Sequence, residues 1–293
     1  MRATDPSYGL INWAAAQFGL GIWAVNLACA AIFGIGLISL CRGQPNPPLT
    51  MAIAVPYLVI VITGYTRESV ALGLVMLATS QFGRGAYFKM ALWLLLAISF
   101  HHSAIITVPI FGLAASRERG LNAVLFVLLG VVGYYQFSQS HFDTLYKDYI
   151  EAAYSSSGAT IRILMDVVPA AIFLSIRRRF GFPPQVERLW TLFAVAAFVA
   201  LVVLFLSPSS TAVDRTALYL VPMQAVVLGR VPKVLGAARR ENLLLVLVVL
   251  SYSLAVELVW LNFGVYSRCW VPYQNYVWKQ SPYERETMYN SRR

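Results

Sequence analysis

Residues 189–206 read LWTLFAVAAFVALVVLFL, without a single charged side chain. A helix needs about 20 mostly apolar residues to cross the hydrocarbon core of a bilayer, so this stretch predicts a membrane-spanning helix. The rest of the chain is similar, because 58% of its 293 residues are hydrophobic and only 12% are charged. Soluble domains carry about 25% charged residues. The composition argues against a soluble enzyme, a disordered chain or a coiled coil, and predicts an all-α polytopic membrane protein.

The long apolar runs predict about ten transmembrane helices, which form one integral membrane domain over residues 1–293. A short helix at residues 9–18 is predicted to lie at the membrane interface before the first span. The two runs on either side of His101 could be one long helix, but the charge of the neighbouring loops favours a break there. The predicted spans are residues 19–41, 48–65, 68–82, 87–100, 103–115, 121–137, 163–176, 189–206, 212–228 and 243–263.

Basic residues distinguish the two sides of the predicted bundle. If the N-terminus is outside, more than half of the 23 Lys and Arg residues fall in inside loops, as the positive-inside rule requires. The net charge of +10 is then explained without a nucleic-acid partner. This orientation puts a longer tyrosine-rich loop, residues 138–160, and the C-terminal tail, residues 265–293, on the extracytoplasmic side. The loop is either a lid over a site or a simple connector.

Cofactor and metal motifs are not found in the sequence. It has no Gly-rich phosphate loop, no dinucleotide-binding fingerprint and no Asp-x-Asp motif, so we expect no nucleotide and no cofactor. Three cysteines do not suggest a disulfide framework. His101 and His102 are adjacent, and neighbouring side chains seldom bind the same ion. We therefore expect no metal site.

Four groups of ionisable residues lie where the predicted spans reach the outer leaflet. Such residues are costly at membrane depth and are functional by default. Simpler interpretations remain open, because Arg67 could anchor the chain to lipid headgroups and the other charged neighbours could pair locally. The groups are Arg67 with Glu68, His101 with His102, Asp214 with Arg215 and then Tyr219, and Arg162 with Asp166 four residues on. Together they predict a site for a substrate with phosphate and hydroxyl groups, and a lipid-linked phosphate fits the outer leaflet.

Several short motifs resemble the EpsG family, the Wzy-like polymerases of bacterial exopolysaccharide synthesis. They follow the family's order over nearly the whole chain. Two departures are visible, because the family usually has glutamine at the position of Glu68 and begins with further hydrophobic helices. The matching pieces are residues 5–12 (DPSYGLIN), 66–68 (TRE), 100–104 (FHHSA), Arg215 followed by Tyr219, and 271–273 (VPY).

The resemblance implies a bundle like those of the helical GT-C glycosyltransferases, with one longer extracytoplasmic loop. It implies a polymerase that joins oligosaccharide repeats carried on undecaprenyl pyrophosphate, at the outer face of the bacterial cytoplasmic membrane. Chain-length or export proteins of the same pathway are expected partners. A flippase for the lipid-linked glycan and a glycan ligase are the alternatives.

The implied glycosyl transfer assigns roles to the polar residues. Without a metal, Arg67 and Arg215 are expected to stabilise the pyrophosphate leaving group. His101 is expected to accept the proton of the acceptor hydroxyl, with Asp214 or Glu68 as alternatives. Contacts with the substrate are expected from Glu68, His102, Tyr149, Arg162, Tyr219 and Tyr273.

Overall fold

The computed structural model describes residues 5–116, 158–206, 210–236 and 242–263, with the backbone alone at 56–63 and 212. Every regular element in these ranges is helical. Three short 3-10 turns, His102–Ile106, Arg177–Phe180 and Leu218–Leu220, join some of the α-helices. The α-helices are α1 (Pro6–Gln17), α2 (Gly21–Arg42), α3 (Pro47–Gly64), α4 (Thr66–Gly83), α5 (Tyr87–Phe100), α6 (Thr107–Ala115), α7 (Ala159–Ile176), α8 (Pro184–Leu206), α9 (Ser210–Ala217), α10 (Val221–Val234) and α11 (Leu243–Phe263).

Four helical segments in the described ranges are long and apolar enough to cross a membrane. They are α2, α7 with the 3-10 turn that follows it, α8 and α11. These segments correspond to the predicted spans 19–41, 163–176, 189–206 and 243–263. The prediction of a helical membrane protein is confirmed, but a count of ten spans is not supported. The predicted span 121–137, most of the loop 138–160 and the tail 265–293 lie outside the described residues.

Two places where an α-helix ends can also be compared with the predicted spans. The break predicted at His101 is confirmed, because α5 ends at Phe100 and the His101 backbone is extended (φ −155°, ψ 116°). The span predicted for residues 212–228 is helical but not uniform, because a 3-10 turn at Leu218–Leu220 lies between α9 and α10. Pro222 lies in the first turn of α10, where its missing N–H costs no hydrogen bond. Hydropathy does not reveal this change from α-helix to 3-10 helix.

The first helix begins earlier than the sequence suggested. Residues 9–18 were the predicted interfacial helix, whereas α1 starts at Pro6, directly after Asp5. Proline favours the first turn because its φ angle already suits a helix. The position of α1 at the membrane interface stays a prediction.

Helix α4 forms the centre of the bundle. Every residue from 68 to 79 is buried, and α2 and α5 pack closely against this helix. A helix that is apolar on all its faces belongs inside a bundle. The first turn of α4, which carries Arg67 and Glu68, is therefore held in place by the core.

Two glycines allow α2 and α4 to approach each other closely. A Cβ atom at Gly36 would collide with the carbonyl oxygen of Gly73, and a Cβ atom at Gly73 would lie 2.6 Å from the Cα atom of Phe33. Small residues at such contacts let membrane helices pack backbone against backbone.

Replacing Gly73 by alanine should therefore lower the stability of the bundle. Both obstructing atoms belong to backbone, so the helices must separate, and overpacking of this kind costs about 1–3 kcal/mol. The thermal unfolding midpoint of the detergent-purified protein measures the effect. Gly34→Ala is the matched control, because a Cβ atom there has nothing within 4 Å. Equal midpoints for the two variants would contradict this packing.

Polar contacts also occur at the other end of the bundle. The Nε atom of Arg230 donates a hydrogen bond to Oε1 of Gln44 (2.8 Å), and its guanidinium lies 4.1 Å from the ring centroid of Phe182. Arg188 donates a hydrogen bond to the carbonyl oxygen of Ser116 (2.6 Å). These contacts lie at the end where α10 finishes and α8 begins, away from the first turn of α4. Arg188 and Arg230 are two of the basic residues that the charge pattern predicts to lie inside.

Candidate functional site

Six ionisable side chains from four parts of the chain meet at the end of the bundle where α4 begins. We call them the charged cluster. Asp5 lies just before α1, two residues open α4, two follow α5, and one lies in α9. Its members are Asp5, Arg67, Glu68, His101, His102 and Arg215.

Asp5 contacts three members of the charged cluster. Its Oδ2 atom accepts a hydrogen bond from Nη1 of Arg67 (2.7 Å) and lies 3.7 Å from Nδ1 of His101. Its Oδ1 atom lies 3.4 Å from Nδ1 of His102. Burial by itself raises the pKa of Asp5, but the two histidines and Arg67 outweigh it and hold that pKa well below its usual range. Asp5 is therefore an anion that three cationic or polar groups share.

Glu68 links His101 to Arg215. Its Oε1 atom lies 3.3 Å from Nε2 of His101 and 3.4 Å from Nη1 of Arg215. The carboxylate is buried in the first turn of α4, where the positive end of the helix dipole favours a negative charge. Its Oε2 atom is buried with no hydrogen-bond partner among the described residues.

His101 lies between the two carboxylates at the break after α5. Burial lowers the pKa of its imidazole, but Asp5 and Glu68 raise it more, so the pKa lies above the usual 6.5. Its Nδ1 atom is buried and has no hydrogen-bond partner among the described residues. The carboxylates therefore make His101 a stronger base than a free histidine.

The two arginines of the charged cluster lie at its opposite ends. The order of contacts is Arg67, Asp5, His101, Glu68 and Arg215. The side chains of Arg67 and Arg215 are 47% and 40% exposed, so a ligand could reach both of them.

Aromatic rings support both of these arginines. The guanidinium of Arg67 lies 5.7 Å from the ring centroid of Tyr8, and that of Arg215 lies 5.9 Å from the ring centroid of Tyr65. Guanidinium groups favour such positions over aromatic faces. Sequence reasoning did not single out either tyrosine for this contact.

Arg162 and Asp214 form a separate pair beside the charged cluster. The Nε and Nη2 atoms of Arg162 donate hydrogen bonds to the two carboxylate oxygens of Asp214 (2.7 and 2.6 Å). The local pairs suggested by the sequence, Asp214 with Arg215 and Arg162 with Asp166, are therefore wrong. A two-fold hydrogen bond between planar groups is stronger than a pair along one helix face. Since both its oxygens are engaged, Asp214 is poorly suited to accept a proton, and Arg162 is committed to it.

Asp166 and Tyr219 are both buried. Asp166 accepts a hydrogen bond from the amide of Gln224 (2.8 Å). Tyr219 has 0% of its surface exposed, and its hydroxyl lies 3.2 Å from Oγ of Ser103. The predicted substrate contact of Tyr219 stays a prediction, and in this structure the side chain supports the segment after His101. Tyr149 and Tyr273, also predicted to contact substrate, lie outside the described residues.

Three members of the charged cluster have the donor atoms that a metal ion would need. Asp5, His101 and His102 offer ligand atoms that all lie within 4.8 Å of one another. The two histidines point to one carboxylate because the backbone turns from an extended residue into a 3-10 turn between them. One oxygen of that carboxylate already accepts a hydrogen bond from Arg67.

The sequence matches one known protein family, described as the EpsG family, over residues 2–275. The match covers nearly the whole chain and includes all six members of the charged cluster. No curated protein and no solved structure matches the chain.

Proposed function

The chain belongs to the EpsG family of Wzy-like polysaccharide polymerases, and we propose that it joins oligosaccharide repeats carried on undecaprenyl pyrophosphate. The reaction takes place at the outer face of the bacterial cytoplasmic membrane. One lipid-linked glycan is the donor and a second is the acceptor. Chain-length and export proteins of the same pathway are the proposed partners.

The single observation that carries this proposal is the charged cluster. It combines two half-exposed arginines with a histidine between two carboxylates, all at one end of a membrane bundle. The guanidinium groups suit a pyrophosphate, and the remaining polar groups suit sugar hydroxyls. Arg177, Arg178 and Arg179 follow α7 at its far end, whereas Arg162 lies at its start beside Asp214. This distribution supports an outward-facing site.

Arg67 and Arg215 are proposed to hold the pyrophosphate of the donor. In glycosyl transfer, the bond between the anomeric carbon and the pyrophosphate oxygen breaks, and the electron pair leaves with that oxygen. Cations fixed beforehand at this position lower the barrier, because the negative charge grows toward the transition state. The side chains supply this charge themselves, so we propose that the reaction proceeds without a metal ion.

His101 is the proposed proton acceptor. The acceptor oxygen forms a bond to the anomeric carbon, and its hydroxyl proton passes to the imidazole. Asp5 and Glu68 raise the pKa of His101, which strengthens it as a base. Asp214 is less suitable because Arg162 occupies both its oxygens. Tyr149 and Tyr273, whose positions are not described, remain candidates for stacking on sugar rings.

Deleting the gene tests the proposal in the cell. We expect lipid-linked glycan to accumulate as single repeats on the outer leaflet, because the repeats are still made and exported but not joined. Gel analysis of the extracted lipid-linked glycan measures their length. Single repeats confined to the inner leaflet would indicate a flippase, and long glycan that stays on its lipid carrier would indicate a ligase. Either result would contradict the proposal.

A further inference from the structure

We propose that Asp5 is the positioning residue of this site, and that its one buried carboxylate holds both Arg67 and His101 in place for the reaction. The inference rests on the proposed function, since it assigns Asp5 a part in the same reaction. Asp5 does not touch the reacting atoms. It acts through the two residues that do.

The contacts of Asp5 join distant parts of the chain. Its side chain is only 3% exposed, yet it contacts Arg67 in α4 and both histidines after α5. A buried carboxylate without partners is costly, whereas one shared by several cationic groups is stable and fixes their geometry. Removing this carboxylate would leave Arg67 with no partner for its Nη1 donor among the contacts described above.

Asp5 is held in place by the helix that follows it and by the helices packed against that helix. Pro6 opens α1 immediately after it, and α1 packs against α2 and α5. The hydroxyl groups of Ser7 and Ser99 lie 2.7 Å apart, which joins the start of α1 to the end of α5. The carboxylate therefore has a fixed position next to His101.

The Asp5 side chain does not cap the helix that it precedes. An aspartate at this position normally accepts a hydrogen bond from a backbone N–H of the first turn. The Asp5 side chain makes no such bond to α1. Its oxygens face the charged cluster instead, so the site is the feature that requires a carboxylate here.

The groups around His101 define what the loss of Asp5 would change. The described groups that face the imidazole are Asp5, Glu68 and the ring of His102, whose centroid is 5.0 Å away. Arg67 and Arg215 lie one contact further out. Without the Asp5 carboxylate, the negative charge beside His101 is halved, and the imidazole becomes a weaker base.

Three substitutions of the full chain separate positioning from helix capping. Asp5→Asn removes the charge at constant size, Asp5→Ser keeps a good helix cap without a carboxylate, and Asp5→Glu keeps the charge on a longer side chain. The assay uses purified protein in lipid vesicles, with one lipid-pyrophosphate-linked repeat unit as donor and acceptor. Turnover and the Michaelis constant are measured across a range of pH. The thermal midpoint of each variant checks that it is folded.

For Asp5→Asn and Asp5→Ser we expect kcat to fall about tenfold or more, as for other carboxylates that orient a reacting histidine. The acidic limb of the pH–rate profile, where protonation of the base lowers the rate, should also lie at lower pH than in the wild type. The base works only when unprotonated, so a lower His101 pKa moves that limb toward acid. Asp5→Glu should recover part of the rate.

Two results would overturn this proposal. One is full activity of Asp5→Ser, which would show that the site does not require a carboxylate at this position. The other is a lower rate with an unmoved acidic limb in folded variants, which would make its role purely structural. The wild type in the same assay distinguishes this failure from that of the proposed function, because a wild type that joins no repeats contradicts the function itself.

Discussion

Replacing His101 by alanine should abolish polymer formation while the protein still reaches the membrane at its normal level. The imidazole is the group that takes the proton of the acceptor hydroxyl, and its nitrogens face Asp5 and Glu68. Loss of a general base lowers the rate by about 10²–10⁴-fold, or about 3–5 kcal/mol of activation free energy. Glycan chain length in a complemented deletion strain measures the effect.

His102→Ala is the matched control for this substitution. The His102 side chain is 61% exposed, and its Nδ1 atom lies 3.4 Å from Oδ1 of Asp5. We expect shorter or less abundant polymer from this variant, but not the complete loss expected for His101→Ala. Binding of the lipid-linked donor should persist in both variants. Normal polymer from His101→Ala would remove the imidazole from the mechanism.

Replacing Arg67 by alanine should lower both donor affinity and turnover. The guanidinium is held by Asp5 and Tyr8, and about half of the side chain is exposed. Removing one such fixed donor costs about 10²–10³-fold in rate. Arg67→Lys should recover only part of the activity, because an ammonium cannot offer two parallel N–H donors to a phosphate.

The other end of α4 supplies the control for Arg67. Arg84 is exposed and follows the last residue of the same helix, so Arg84→Ala removes a charge without touching the charged cluster. It should leave chain growth unchanged. Full activity of Arg67→Lys at matched membrane levels would favour a lipid-headgroup anchor, and full activity of Arg67→Ala would end the role of this arginine.

Much of the helical architecture could be predicted from apolar runs alone. The predicted spans 87–100 and 243–263 coincide with α5 and α11, and the break at His101 is where loop charge required it. Hydropathy reports the environment of a residue and not the continuity of its backbone. It therefore overlooked the turn at Leu218–Leu220, which lies inside one uncharged run.

The pairing of charges could not be predicted, because the partners are far apart in sequence. Local spacing favoured Arg162 with Asp166, yet Arg162 pairs with Asp214 on another helix. Spacing rules describe neighbours on one helix face, whereas a buried charge pairs with the best-placed opposite charge in the folded chain.

Asp5 was the residue of the charged cluster that sequence reasoning did not select. A lone carboxylate before a proline predicts a helix start, and nothing in the sequence shows that its oxygens face His101 instead. The available signal was weak, namely its place in the first of the motifs that resemble the family.

Reconstitution of the purified protein tests the central claim most directly. Vesicles that contain only this chain and a lipid-pyrophosphate-linked single repeat should produce a ladder of longer lipid-linked glycans, and the His101→Ala protein should produce none. In the same vesicles, the repeat is labelled separately on each leaflet, which shows whether it has crossed the membrane. Repeats that stay single but move from one leaflet to the other would contradict a polymerase and would identify a transporter.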